Sequence, residues 1–197
     1  SLIHISQNRL LGGNMKKNFL SSSEKEIIKN ISLQYRPWVK SLTSKELLLI
    51  KKYTLNSNDQ FKPNRFFECL NKAMRGEYYK SDLHKLCMYG NIISNAISRQ
   101  PVSVPLVCYR GVDDDFLSKV EIGDIFSFNQ FISTSVIERC ALRKKFKYVI
   151  IIPTGAKGAY IEDVSLFRGQ YEFLLDKSCT YKLIAKSGHN IILEVVV

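Results

Sequence analysis

Near the C-terminal end of the chain an amide and a carboxylate, Gln170 and Glu172, stand two positions apart at the start of the apolar run YEFLL. Side chains two apart on a strand project from the same face, so a strand here would present both groups together, with Tyr171 opposite. One carboxylate beside an amide is not the carboxylate pair that sugar hydrolases use. The spacing therefore predicts a site with one fixed negative charge and a neighbouring amide.

A single carboxylate is sufficient where the leaving group departs without being protonated. Nicotinamide leaving NAD is such a group, because its ring is already cationic and becomes neutral. The remaining task is to stabilise the positive charge that develops on the ribose, and a fixed negative charge does this.

A run of three hydroxyls, Ser133, Thr134 and Ser135, follows Phe131-Ile132. On a strand Ser133 and Ser135 share one side and Thr134 takes the other. An inward hydroxyl can orient a carboxylate from the next strand. A solvated edge strand explains the run equally well, so these residues leave both interpretations open.

Two further features suit phosphate or dinucleotide binding. Arg110 ends a strand-like run beside Gly111, where its guanidinium is free to bind phosphate through two hydrogen bonds. Asn71 and Arg75 are four apart on a helical stretch and therefore neighbours on one helix face. Taken singly, each is also typical of a solvated surface.

The first half of the chain has helical periodicity. Capping boxes predict two helix starts, at Ser23 with Glu26 and at Thr43 with Glu46, and Pro37 predicts an end or kink in the first helix near Tyr35. Turn residues at 56–59 precede a third helix, which we expect to start at Pro63 and to close at Gly76. A fourth helix is predicted from Ser81 to a point before Pro101.

From residue 104 onward short β-branched and aromatic runs alternate with turn residues, and 187–190 reads as a hairpin turn. Helices followed by strands predict an α+β fold with a mostly antiparallel sheet and helices on one side. We expect one domain, 1–197, in which 1–22 form a loose N-terminal arm.

Composition is that of an ordinary globular protein of 197 residues, with 29 Lys and Arg against 18 Asp and Glu and a net charge of +11. A basic surface attracts nucleic acid, anionic membranes, or anionic cofactors and proteins, so charge alone leaves the partner open.

No apolar run is long enough for a membrane span. Five scattered cysteines without a CxxC pair favour buried free thiols over a disulfide framework or a zinc site, and no metal is expected.

In chain order, Arg110, Ser133-Thr134-Ser135 and Gln170-x-Glu172 resemble the bacterial mono-ADP-ribosyltransferases of the Arg-Ser-Glu class. The resemblance is strongest to the Rho-modifying single-domain exoenzyme toxins. The stretches LTSKELLLIKKYT, LNKAMR and KGAYIEDVSLFRGQYEFLLDKSCTY are similar to motifs of that family and extend the match from about residue 25 to the C-terminus.

The resemblance implies two antiparallel sheets packed crosswise, with helices beside them and NAD bound in the cleft. It implies an enzyme that cleaves NAD at the nicotinamide–ribose bond and transfers ADP-ribose to an asparagine of a Rho-family GTPase, with NAD hydrolysis as a side activity. It also implies a secreted, monomeric virulence toxin that acts in the host-cell cytosol.

The family's residue roles transfer by motif position. Glu172 would stabilise the ribose cation, Ser133 would orient Glu172, and Arg110 would hold the NAD phosphates. Gln170 would recognise the acceptor amide, and Phe167 would touch the protein substrate. The remaining NAD contacts implied by the resemblance come from Asn71, Arg75, Thr134, Ser135, Arg168 and Gly169.

One stretch departs from the family pattern. A Phe-x-x-Arg pair usually follows Ser-Thr-Ser, covering the nicotinamide and contacting phosphate. Here the run VIERCALRKKF is one residue short, with Leu142 near the Phe position and Arg143 or Lys145 in place of the Arg.

Two alternatives stay open at this point. Relatives with Gln-x-Glu also modify guanine in DNA, and a net charge of +11 would suit that substrate. The other is a basic nucleic-acid-binding module without catalysis. Arginine-modifying relatives carry Glu-x-Glu, so Gln170 counts against that acceptor.

Overall fold

The computed structural model describes residues 20–55, 66–114 and 116–197. Within these ranges helices precede strands, as the α+β prediction requires. The helices are α1 Ser22–Ser41, α2 Ser44–Thr54, α3 Phe66–Met74 and α4 Leu83–Ser98. The strands are β1 Leu106–Val112, β2 Ile125–Ser127, β3 Ile132–Ser135, β4 Phe146–Ile152, β5 Gly158–Tyr160, β6 Glu172–Leu175, β7 Thr180–Ser187 and β8 Asn190–Val196.

Helix α1 begins earlier than predicted. Ser21 and Glu24 form the capping box, instead of Ser23 and Glu26, so Ser21 and Ser22 belong to the helix start and not to the predicted arm. Residues 1–19 lie outside the described residues. Two S-x-x-E patterns overlap here, and the sequence does not distinguish between them.

The predicted end of α1 near Tyr35 is wrong, since the helix continues through Pro37 to Ser41. Pro37 lies on the exposed face, where water can bind the carbonyl that the ring leaves unpaired. On the opposite face Tyr35 and Trp38 are fully buried, and the Trp38 indole N–H donates to the Ala96 carbonyl at 2.7 Å. Packing therefore outweighs the lost helix bond.

The other helix ends follow the predictions in part. Thr43 and Glu46 form the predicted capping box of α2. Gly76, with φ of 75°, follows α3 as expected, while the predicted start at Pro63 and the turn at 56–59 lie outside the described residues. Helix α4 begins after Asp82 with no side-chain cap, so the predicted cap at Ser81 is wrong.

The strands form one mixed sheet in the order β2-β7-β8-β4-β1-β3-β6-β5. The pair β4–β8 is parallel and the remaining pairs are antiparallel. The predicted hairpin at 187–190 joins β7 to β8, so that β8 runs antiparallel to β7 and in the same direction as β4. A single residue pair, Tyr109 with Ser135, joins β1 to β3. The two sheets expected from the resemblance thus correspond to a five-stranded and a three-stranded part, which meet at this seam.

Helix α1 packs against the three-stranded part of the sheet. The Tyr35 ring of α1 packs edge-on against Phe173 of β6 at 5.9 Å, and its hydroxyl donates to the Gly158 carbonyl of β5 at 3.4 Å. None of the five cysteines forms a disulfide bond, and four of them are buried. Among the described residues, no helix combines the length and the apolarity that crossing a membrane requires.

Candidate active site

The centre of the site is Glu172, the first residue of β6, which is 5% exposed. Ser133 on the neighbouring strand β3 donates its hydroxyl hydrogen to Oε1 of Glu172 at 2.5 Å. In the register Ser135 lies opposite Glu172, so Ser133 is its diagonal neighbour. Ser133 therefore presents an inward hydroxyl to a carboxylate on the next strand, and the solvated edge strand interpretation does not apply to it.

Arg110 lies at the seam between β1 and β3. Because Tyr109 and Ser135 are the only register pair there, the strands separate next to Arg110. Its guanidinium donates from Nη1 to the Ser133 carbonyl at 2.7 Å and bridges the gap. The arginine, the serine and the glutamate are thereby connected in one chain of hydrogen bonds.

The charge state of Glu172 is finely balanced. The pKa of this carboxyl is raised from 4.5 to about 7, mainly by burial and also by the nearby Glu162 carboxylate, while the Ser133 hydrogen bond and Arg110 oppose the increase. The site therefore holds a carboxylate that ionises near neutral pH.

Helices α2 and α3 contribute Tyr53 and Asn71. The Asn71 amide donates from Nδ2 to the Tyr53 hydroxyl at 3.2 Å, while its Oδ1 is buried without a hydrogen-bond donor from any described residue. Burial raises the pKa of Tyr53, and Glu172 raises it as well, because the ring is close to that carboxylate. This amide oxygen is therefore available to accept a hydrogen bond. Tyr53 lies in the stretch LTSKELLLIKKYT, but the motif alone assigned it no role.

Gln170 lies in the loop before β6, not on the strand. Tyr171 has a φ of 50°, so the strand alternation predicted for 170–172 is wrong. Gln170 nevertheless lines a cavity of about 40 Å³ together with Arg110, Gly111 and Ser133. Gln170 and Glu172 therefore flank a tight turn at Tyr171 and do not share the face of a strand.

Thr134 and Ser135 use their hydroxyls inside the fold. Thr134 donates to the Phe173 carbonyl at 2.7 Å, and Ser135 donates to the Ile137 carbonyl at 2.8 Å. These bonds fix β3 against β6 and shape the turn after β3. Both residues also line the 40 Å³ cavity, so their backbone borders the site.

Other predicted residues lie around the site without a contact to its centre. Arg75 donates to Gln130 and forms an ion pair with Glu77 at 2.5 Å on the exposed surface. Arg168 is exposed and donates to the Asp163 carbonyl at 2.6 Å. Phe167 is half-buried in the same loop, and the Gly169 amide, with φ of 93°, donates to a carboxylate that sequence reasoning missed, Glu162.

The segment that departs from the family pattern packs its backbone onto β1. A β-carbon built on Gly111 would lie 1.9 Å from the Leu142 carbonyl oxygen. The Leu142 side chain is 60% exposed and borders both the 40 Å³ cavity and a second one of about 430 Å³, which Arg139, Arg143 and Lys144 also line. Glu24 and Glu138 also line the larger cavity, and Arg139 and Lys144 are ion-paired with Glu24 and Asp113.

The site combines an arginine on β1, a serine on β3 and a glutamate at the start of β6, on an α+β fold whose sheet has a seam between β1 and β3. These features define the Arg-Ser-Glu class of ADP-ribosyltransferases. The chain belongs to the ADP-ribosyltransferase exoenzyme family, whose model matches residues 31–194. NAD is the substrate of the toxins of this family. Among the described residues no group of three or more His, Cys, Asp or Glu side chains is placed to hold a metal ion.

Individual relatives agree with this assignment. The NAD(+)–arginine ADP-ribosyltransferase EFV of Enterococcus faecalis is 29% identical over an alignment of 156 residues, which covers 73% of this chain and 29% of that protein. The chain thus spans less than a third of the length of this curated relative.

Two solved structures share the fold. Plx2a, an ADP-ribosyltransferase toxin from Paenibacillus larvae, has a TM-score of 0.69 and 21% identity, with 88% of this chain and 96% of that chain covered. C3stau2 from S. aureus, solved with NAD, has a TM-score of 0.69 and 18% identity, with 91% and 96% covered.

Proposed function

We propose that this protein is a mono-ADP-ribosyltransferase toxin that cleaves NAD and transfers ADP-ribose to an asparagine of a Rho-family GTPase. The observation that carries the proposal is the part-buried Ser133–Glu172 hydrogen bond, with Arg110 bonded to the same serine and Gln170 lining the same cavity as Ser133.

Glu172 is the catalytic carboxylate of this proposal. As the bond between the ribose carbon and the nicotinamide nitrogen breaks, its electron pair leaves with the ring, which becomes neutral. The ribose carbon gains positive charge, and the fixed carboxylate stabilises it. The acceptor nitrogen then bonds to that carbon and loses a proton. With its pKa raised to about 7 by burial, Glu172 is ionised in the upper part of the neutral range.

Arg110 and Asn71 supply NAD contacts in the proposed complex. Arg110 offers guanidinium N–H groups to phosphate, and the unpaired Oδ1 of Asn71 offers an acceptor. A cavity of about 40 Å³ is far smaller than the roughly 300–1,000 Å³ of typical ligand pockets. Leu142 and Gly111 both line this cavity, and we propose that the segment around Leu142 moves to admit the dinucleotide.

Gln170 is the proposed acceptor-recognition residue. An amide can donate to and accept from another amide, which fits an asparagine side chain. Phe167, half-buried in the same loop, is proposed to touch the acceptor protein. The Rho-family acceptor is supported by the motif resemblance and by the structural likeness to C3 exoenzymes such as C3stau2. Secretion, action in a host cell and a monomeric state are proposed on the same ground.

Arginine is the second candidate acceptor, because the relative from Enterococcus faecalis is named as an arginine ADP-ribosyltransferase. A guanidinium is always cationic and is best recognised by a carboxylate. This chain has the neutral Gln170 where a carboxylate would be needed, which favours asparagine.

The test is incubation of labelled NAD with a purified Rho-family GTPase, an arginine-rich protein and duplex DNA in parallel, followed by mass spectrometry of the labelled residue. We expect label on a GTPase asparagine, and label on arginine or guanine would contradict the proposed acceptor. Gln170→Ala is the matched variant. It is expected to keep most NAD hydrolysis and to lose transfer. Gln170→Glu is expected to move labelling towards arginine.

A further inference from the structure

Glu162 holds the loop that carries Gln170 and Glu172. It follows β5 by two residues and is 4% exposed. Its Oε1 accepts the Gly169 amide hydrogen at 2.5 Å, and its Oε2 accepts the Glu172 amide hydrogen at 3.4 Å. The two oxygens thus bind both sides of the Gln170–Tyr171 turn.

The conformation of this turn needs such support. Gly169 has a φ of 93° and Tyr171 a φ of 50°, so two left-handed residues flank Gln170. For tyrosine this backbone region is unfavourable and persists only where surrounding contacts impose it. The base of the loop is closed by the Ile161 amide donating to the Glu172 carbonyl at 3.0 Å, and its far end by the Leu166 amide donating to the Thr54 hydroxyl at 3.0 Å.

Stability alone does not account for a glutamate at this position. A buried carboxylate is costly, and Glu162 lies close enough to a second buried carboxylate, Glu172, to raise its pKa. Its bonds go to backbone N–H groups of the loop. A glutamine has one acceptor oxygen and cannot replace two acceptors that bind separate N–H groups. A carboxylate at position 162 therefore matches the two separate N–H groups that the turn presents.

We propose that Glu162 is a positioning residue, whose carboxylate fixes the Gly169–Glu172 turn and thereby directs Gln170 towards the acceptor and Glu172 towards the ribose. The proposal rests on the NAD chemistry proposed above. Both oxygens of Glu162 are bonded to backbone N–H groups of the turn, so the residue acts through the turn.

The consequence is a specific kinetic signature for Glu162→Gln. We expect kcat for NAD hydrolysis to fall at least about ten-fold while KM for NAD stays within about two-fold, because the chemistry is misaligned and the NAD contacts remain. We also expect the ratio of transfer to hydrolysis to fall, since Gln170 lies inside the turn.

The pH profile provides a readout that a merely structural role would not move. The groups that face Glu172 are Arg110 on β1, Ser133 on β3, Tyr53 on α2 and Glu162 after β5. The Glu162 charge repels the Glu172 carboxylate and raises its pKa. Removing that charge should therefore lower the pKa of Glu172 and move the acid limb of kcat/KM for Glu162→Gln to lower pH. Glu162→Asp keeps the charge but is one methylene shorter, so kcat should fall without that move.

Glu46→Gln is the matched control. Glu46 is also a buried carboxylate with backbone and side-chain partners, Thr43 and Arg99, but it caps α2 away from Glu172. We expect it to lower the melting temperature and to leave kcat and the pH profile unchanged.

The experiment measures kcat, KM and the pH profile of NAD hydrolysis, without acceptor, for the parent and these three variants on folded protein. The expected kcat loss in Glu162→Gln with an unchanged KM and a shifted limb supports the proposal. A parent-like kcat in Glu162→Gln, or a loss in both Glu162 variants with the limb unmoved in each, overturns it. A parent that cleaves no NAD contradicts the proposed function itself and this inference with it.

Discussion

Ser133 and Glu172, on adjacent strands β3 and β6, share a hydrogen bond of 2.5 Å, and the carbonyl of the same serine accepts the Arg110 guanidinium. One residue therefore links the cation on β1 to the carboxylate on β6 at the seam of the sheet. This geometry orients Glu172 and opposes the rise in its pKa that burial causes.

Ser133→Ala removes the hydrogen bond that lowers the pKa of Glu172. Because a hydrogen bond to a charged group contributes about 1.5–3 kcal/mol, we expect at least about a ten-fold loss in NAD hydrolysis at neutral pH and an acid limb moved to higher pH. The measurement is kcat/KM for NAD against pH. Ser178→Ala, which loses a bond to Asp176 instead, serves as the control. An unmoved limb in Ser133→Ala would count against the role of Ser133.

Glu172→Gln tests the cost of burying the catalytic charge. A pKa raised from 4.5 in the unfolded chain to about 7 in the fold stabilises the protonated form. This contribution is complete below about pH 4.5 and is lost as pH rises through about 7, a change of about 3 kcal/mol. We expect the stability difference between variant and parent to increase in favour of the variant by up to that amount between about pH 5 and pH 8. Urea unfolding at both pH values measures it, and a difference independent of pH would contradict the burial argument.

Gly111→Ala tests the packing of the Leu142 segment onto β1. The new methyl group would meet a backbone oxygen at 1.9 Å, so the segment must be displaced, and we expect lower stability and altered KM for NAD. Gly90→Ala is the control, because its close contact is the flexible Met74 side chain and because alanine favours the helix by about 1 kcal/mol. Thermal unfolding and KM are measured for both. Equal behaviour of the two variants would show that the contact at Gly111 is not important.

Asn71→Ala and Arg75→Ala separate two residues that share a helix face. Asn71 lies beside Tyr53 with a buried unpaired oxygen, whereas the Arg75 guanidinium is bound to Glu77 and Gln130 at the surface. We expect KM for NAD hydrolysis to rise about five-fold or more for Asn71→Ala and less for Arg75→Ala. The reverse order would mean that Arg75 leaves its ion pair to bind NAD.

The sequence was sufficient for the fold class and for the order of Arg110, Ser133 and Glu172, because these depend on local patterns and motif spacing. It was sufficient for the capping box at Thr43, which is a short-range signal. Continuation of α1 through Pro37 depends on the burial of Tyr35 and Trp38 against distant residues, which no local pattern contains.

The remaining parts of the site required tertiary structure. The left-handed turn at Tyr171 has no sequence signal, since tyrosine rarely adopts that conformation. Glu162 is ten residues from Glu172 in the chain and becomes its neighbour only because the loop closes on itself. Tyr53 likewise reaches the site through the packing of α2 and α3.

The most direct test of the account is the rate of NAD hydrolysis by Glu172→Gln at saturating NAD, in protein shown to be folded. The substitution keeps the size of the side chain and removes its charge. We predict a loss of about 10²–10³-fold in kcat, the effect expected for removing one preorganised electrostatic group from a transition state. A rate equal to that of the parent would contradict the assignment of Glu172 as the catalytic carboxylate.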